Sequence, residues 1–172
     1  MSEKEFSWKE NIWWVSWSIL LILQIIAGFL LYNRKGLLVV AILGWIIMIV
    51  GFVIGGMGVS TLKKMGGVQK GKRSSRFGVG TTTIVTSGIY AIVRHPQYLC
   101  WLFFNAAVIL VAQDWIVAII GLASMLTIYM QARQDDQSLL DQFGDDYKRY
   151  MQRVPRMSNL LGIIRMLRRR KR

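Results

Sequence analysis

The chain has 172 residues, 53% of them hydrophobic, yet it carries 22 Lys+Arg against 9 Asp+Glu, a net charge of +13. A soluble domain rarely combines such hydrophobicity with such basicity, whereas a bilayer protein does, because charges can sit in the flanks and apolar residues in lipid. One cysteine, Cys100, and one histidine, His95, exclude an internal disulfide, a Cys/His zinc site and catalysis through paired histidines; no metal is expected, and Arg, Asp, Tyr, His95 and a borrowed cofactor remain to carry any chemistry.

In chain order, the run from Trp13 to Tyr32 holds nothing more polar than Ser16, Ser18 and Gln24, and Leu37 to Val59 carries no charge. Each reaches the ~20 residues that a spanning helix needs. The first is read as a retained membrane helix and not a cleaved signal, with Trp8, Trp13, Trp14 and Trp17 as its aromatic belt. Gly51 and Gly55 form a GxxxG expected to serve close helix packing. Lys63 to Arg76 reads as a basic loop, Gly78-Val79-Gly80 as a weak glycine motif without a nucleotide-binding frame, and Thr81 to Val85 as an extended segment. Leu99 to Ala112 and Trp115 to Met130 are shorter apolar runs, read as a spanning hairpin that turns at Gln113-Asp114 in preference to a re-entrant pair.

These segments predict an all-α integral membrane protein with about four membrane helices, two long and then a short helical hairpin, ending in a cytoplasmic helical region. The expected layout is one membrane-embedded domain: two membrane helices within 12–59, a basic cytoplasmic loop over 60–96, the hairpin over 97–130 and the C-terminal region over 131–172. With four spans, 20 of the 22 basic residues share one side and only Arg34 and Lys35 lie opposite. Basic residues concentrate on the cytoplasmic side, so a multi-pass protein of the cell membrane with both termini cytoplasmic is expected. From Leu160, apolar residues at helical spacing lead into Arg168-Arg169-Arg170-Lys171-Arg172, which suits an amphipathic helix on anionic lipid better than nucleic-acid binding.

The densest polar sequence beside a membrane segment runs from Gly88 to Tyr98. Proline restricts the residue before it and favours the first turn of a helix, so the third membrane helix should start at Pro96 with His95 near its N-cap. Arg94 beside that helix end would make a cationic pocket suited to a carboxylate or phosphate; headgroup anchoring by Arg94 with Tyr98 in an aromatic belt is the bland alternative. Past the fourth apolar run, Asp135 and Asp136 continue the helix with side chains about 100° apart, so they cannot face one ligand equally. Phe143-Gly144 should then break it.

Taken together, G-x-Y-x-x-x-R-H-P-x-Y (Gly88, Tyr90, Arg94, His95, Pro96, Tyr98), a hydrophobic hairpin, an acidic pair and L-x-x-x-F-G-x-x-Y-x-x-Y-x-x-x-V-P (Leu139, Phe143, Gly144, Tyr147, Tyr150, Val154, Pro155) resemble the isoprenylcysteine carboxyl methyltransferase family. It belongs to a wider group of membrane methyltransferases that includes phospholipid N-methyltransferases. The resemblance covers roughly residues 85–157. It implies methyl transfer from S-adenosylmethionine to a lipid or lipidated acceptor, a prenylcysteine-type carboxylate or a phospholipid amine, at the cytoplasmic membrane face. It implies a cofactor site lined by Tyr90, His95, Pro96, Tyr98, Asp135 and Asp136, with Arg94 and His95 at the reaction. Asp135 and Asp136 stand where the family usually has a Glu pair, one methylene longer. Such a displacement needs donor and acceptor held together without water. An NADPH-dependent reductase of the sterol reductase type is the nearest rival, although Gln97-Tyr98-Leu99-Cys100 departs from the pattern such enzymes carry after R-H-P. A non-enzymatic basic scaffold is the second rival.

Overall fold

The computed structural model describes residues 8–33, 35–66 and 83–158 together with 162, 164 and 167. Among these the fold is all-helical, as expected: α1 (Trp8–Leu30), α2 (Leu38–Met65), a 3₁₀ turn (Gly88–Ala91), α3 (Pro96–Ala112), α4 (Trp115–Phe143) and α5 (Asp145–Arg153). Three helices are long and apolar enough to cross a membrane: Ile12–Leu30, Leu38–Met65 and Trp115–Phe143. At 17 residues and 1.5 Å per residue, α3 reaches about 25 Å, short of the ~30 Å hydrocarbon layer.

Two helices run further than their apolar patterns suggest. Helix α2 continues past Val59 to Met65, taking Lys63 and Lys64 into its last turn, because nothing in Ser60–Met65 breaks a helix before Gly66. Helix α4 passes the end of the apolar run at Met130, as the sequence reading of Asp135 and Asp136 in the same helix requires. It continues through Gln131–Phe143, a stretch of good helix formers, until Gly144, whose φ of +57° and ψ of −133° suit glycine alone. Helix α3 starts at Pro96, as its sequence requires. Residues 84–86 have no regular secondary structure and 83 is a bend; the rest of the expected extended segment, the glycine motif at 78–80 and most of the basic loop lie outside the described residues. In the tail, Gly162, Ile164 and Leu167 are helical, while the arginine cluster lies outside the described residues.

The chain divides into two compact units, residues 1–51 with 101–134, and 52–100 with 135–172. In the first, the Gln113 side chain clasps the α1–α2 connection, accepting from Leu37 N at 2.8 Å and donating to Leu37 O at 2.9 Å. Asp114 caps the start of α4 through Ile116 N at 2.8 Å, so the Gln113-Asp114 turn lies where the sequence places it. The apolar side chains of α1 and the start of α2, Ile22, Phe29, Leu38 and Ile49 among them, are exposed, the surface that lipid tails would cover.

In the second unit α5 turns a two-faced pattern inward. Tyr147, Tyr150 and Val154 are buried and pack with Ile84, Leu139, Leu140, Phe143 and Met151, while Asp145 and Asp146 lie in its first turn, where the helix dipole favours acidic groups. The end of α2 supports the R-H-P segment from below. Gly58 brings bare backbone against Pro96, whose Cγ would stand 2.6 Å from an added Cβ, and Gly55 faces Cys100 in the same way.

Candidate functional site

The second unit gathers its polar groups around one carboxylate. Asp136 is 2% exposed and receives four groups that are far apart in sequence. His95 Nε2 lies 2.8 Å from Oδ1, the Tyr147 hydroxyl donates to Oδ1 at 2.7 Å, and Arg156 Nε donates to Oδ2 at 2.5 Å. Arg94 Nη1 sits 3.1 Å from Oδ1 as an ion pair. With His95 Nε2–H donating to Asp136, the imidazole is fixed in orientation and its Nδ1 is the remaining acceptor.

Local structure explains why these groups converge. Pro96 ends the extended R-H stretch and starts α3, so the Arg94 and His95 backbone N–H groups are not used by that helix. They instead donate to Pro155 O and Arg156 O, both at 3.1 Å, tying the R-H-P segment to the V-P-R segment. The Gly144 break turns the chain so that Tyr147, eleven residues on, reaches back to Asp136. Tyr150, one turn further, donates to Tyr90 O at 2.7 Å and holds the 3₁₀ turn in place. Burial pushes the phenols of Tyr90, Tyr147 and Tyr150 above their ordinary range, and the neighbouring Asp136 carboxylate adds to the effect at Tyr147. All three stay protonated, and Tyr147 and Tyr150 act as donors.

Asp135 points elsewhere, as the 100° step requires: Tyr98, 2% exposed, donates to its Oδ2 at 2.6 Å. The Tyr98 ring also lies beside His95, centroids 5.7 Å apart. The structure therefore brings Arg94, His95 and Asp136 into direct contact, links Tyr98 to Asp135, and attaches Tyr90 through its backbone. Pro96 contributes by fixing the helix start. Tyr147 and Arg156, which the sequence offers only as part of a motif and as the residue after it, turn out to complete the Asp136 cluster.

The electrostatics are one-sided. Asp136 faces two guanidinium groups, while the other carboxylate of the site, Asp135, is bonded to Tyr98. Arg94 is 8% exposed, and its buried Nε and Nη1 have no hydrogen-bond acceptor; the Nη1 contact with Asp136 is an ion pair without hydrogen-bond alignment. A buried guanidinium with donors to spare is a costly arrangement unless an anion completes it. Among the described residues, no group of three His, Cys, Asp or Glu could hold a metal ion.

A helical protein with membrane-length helices and a buried, cation-rich polar cluster at the start of a short apolar helix is the class these features define. The profile of the isoprenylcysteine carboxyl methyltransferase (ICMT) family matches residues 46–141, more than half of the chain. The chain belongs to that family. It is 33% identical over 79 residues to the protein-S-isoprenylcysteine O-methyltransferase of Homo sapiens, covering 44% of this chain and 27% of the human protein. The Mus musculus protein of the same name is 30% identical over 76 residues, covering 44% and 27%. The chain thus spans about a quarter of the length of these curated relatives. No solved structure matches it. The profile match begins within α2 and includes both acidic residues, but stops before Tyr147 and Arg156.

Proposed function

We propose that this chain transfers a methyl group from S-adenosylmethionine to the carboxylate of a prenylated cysteine at the cytoplasmic face of a cell membrane. The observation that carries this reading is the buried Arg94 guanidinium, whose Nε and Nη1 lack hydrogen-bond acceptors beside an Asp136 carboxylate already shared with Arg156. Such a cluster fits a carboxylate and disfavours a protonated amine, so the prenylcysteine-type acceptor is preferred over a phospholipid amine. A carboxylate is already ionised at neutral pH and needs no general base. The relatives' names point to the same acceptor.

The residues present also fit the cofactor. S-adenosylmethionine supplies an electrophilic methyl group on a sulfonium. Arg94 would hold a carboxylate, whether the donor's or the acceptor's. The Tyr98–Asp135 pair offers a carboxylate, itself half-buried, for amino or hydroxyl groups. Asp136 has four protein partners, so its role is to hold Arg94 and His95 in place and to keep Arg156 beside them. His95, Pro96, Tyr90 and Tyr98 would wall the site and exclude water. The charge asymmetry, with 20 of the 22 basic residues on one side of a four-span layout, supports both termini in the cytoplasm, with the tail on anionic lipid.

Calorimetric titration with S-adenosylhomocysteine, using NADPH as control, tests the cofactor assignment in lipid nanodiscs. Ester formation on a farnesylated cysteine derivative tests the acceptor. Saturable nucleoside binding that weakens in Asp136→Ala, with turnover lost in Arg94→Ala, is expected. NADPH binding alone would return the reductase reading, and no binding by a folded sample would favour the scaffold.

A further inference from the structure

The stretch from Ile92 to His95, between the 3₁₀ turn and α3, lies under the C-terminal part of the second unit. The Arg94 and His95 N–H groups donate to Pro155 O and Arg156 O. Further on, Gly162 presses on Ile92: a Cβ added there would stand 1.9 Å from Ile92 O and 2.8 Å from Ile92 C. Both are backbone atoms, which cannot turn aside as a side chain can. Gly162 is buried and helical, and its N–H donates to Ser158 O at 3.0 Å.

The same helical segment is apolar on its outward side. Ile164 and Leu167 lie roughly 200° and 140° round from Gly162 at about 100° per residue, and they are 45% and 50% exposed. The basic run Arg168 to Arg172 follows in the sequence. Apolar side chains beside a run of cations match a bilayer surface with anionic headgroups, the first meeting acyl chains and the second meeting phosphates.

Residues 154–158 have no regular secondary structure. Val154 fixes one end through its N–H to Tyr150 O, and the Gly162 contact fixes the other. The segment that carries Arg156 to Asp136 is therefore only as firm as the helix pressed on Ile92. A short helix with an uncovered apolar face is marginal in water. We propose that an anionic bilayer surface docks on the Ile164 and Leu167 face and, through the Gly162–Ile92 contact, tightens the backbone around Arg94 and His95. The site is then fully assembled only at a charged membrane. This rests on the reading of the tail as a lipid-binding segment and adds the regulation of the site by lipid charge.

Hydrogen exchange of the full chain tests it in phosphatidylcholine nanodiscs with and without phosphatidylglycerol. Amides of residues 158–167 report docking, and those of Arg94 and His95 report the site. No ligand is added, so the outcome does not depend on which cofactor the protein binds. We expect both sets to exchange more slowly on anionic discs, the site amides by roughly tenfold. A slowed tail with unchanged Arg94 and His95 amides overturns the coupling; an unchanged tail overturns the lipid-binding reading and the proposal with it. Gly162→Ala supplies a sign. Alanine favours the helix itself, so a tail acting only through its own helicity would protect the site further. Coupling through the Ile92 contact predicts that Arg94 and His95 lose their lipid response while the tail keeps its own, and added protection overturns it. Replacing Arg168, Arg169, Arg170, Lys171 and Arg172 by Gln leaves Gly162 in place and should abolish both responses; a lipid response that survives also overturns the proposal.

Discussion

The Tyr147 hydroxyl donates to Asp136 Oδ1 at 2.7 Å from the far side of the Gly144 break. The bond joins the end of α4 to α5 and supplies a neutral donor beside the two guanidinium groups that face this carboxylate. Tyr147→Phe keeps the packing of the ring against Tyr150 (centroids 5.7 Å apart) and removes only the donor. Hydrogen bonds to charged groups contribute about 1.5–3 kcal/mol, and a loss of that size in denaturant unfolding is expected. An unchanged midpoint would mean that the carboxylate is satisfied without Tyr147.

Asp136→Ala is expected to cost more, about 3–5 kcal/mol, because it leaves Arg94 and Arg156 facing each other without a counter-charge. Asp135→Asn removes a charge at a half-buried position and keeps an acceptor for Tyr98, so it should leave stability within about 0.5 kcal/mol while weakening S-adenosylhomocysteine. Unfolding and calorimetry run on the same two variants separate the residues. Equal stability losses would contradict the division of labour drawn above.

Two neighbouring glycines on α2 should respond oppositely. An alanine at Gly56 meets nothing within 4 Å, and Gly→Ala in a helix interior stabilises by about 0.5–1 kcal/mol. An alanine at Gly58 would press on the rigid Pro96 ring at 2.6 Å, costing about 1–3 kcal/mol and shifting the start of α3. Thermal melts give the stability sign; a weaker nucleoside affinity in Gly58→Ala alone reports the displaced site.

The buried phenols make an alkaline prediction. Tyr90, Tyr147 and Tyr150 have folded-state pKa values raised above the value of about 10 expected in an unfolded chain. The stability they contribute is therefore complete below pH 10 and is lost as pH rises beyond it toward their folded values. Thermal melts at pH 9 and pH 11 should show a fall in Tm that is smaller in Tyr150→Phe, and the phenolate absorbance that develops before unfolding should be the same in both proteins. An equal fall, or a smaller absorbance in the variant, counts against burial as the cause.

Much of the helical layout could be read from local rules: Pro96 marks the start of α3, Gly144 ends α4, and consecutive acids diverge by 100°, which sends Asp135 to Tyr98 and Asp136 to His95. What local rules missed was where apolarity and helicity part. Lys63 and Lys64, read as the start of a loop, lie in the last turn of α2, because a helix ends at a breaker and not where hydrophobicity does. The closure of the cluster was also out of reach. Arg156 follows a proline in an irregular stretch, and only the paired backbone bonds from Arg94 and His95 bring it to Asp136. A one-dimensional pattern could have flagged Tyr147 through its i, i+3, i+7 spacing with Tyr150 and Val154, but that spacing predicts burial and says nothing of a polar partner.

The order of the Asp136 partners along the chain has a consequence for biosynthesis. Arg94 and His95 are made before Asp136, but Tyr147 and Arg156 follow it by eleven and twenty residues. At 5–20 residues per second, roughly 1–4 s pass between synthesis of the aspartate and of its last partner. During that interval α3 and the apolar part of α4 have been made while the carboxylate still lacks two of its four partners. The site therefore cannot close until the chain has been made through Arg156, and its maturation waits on that arginine.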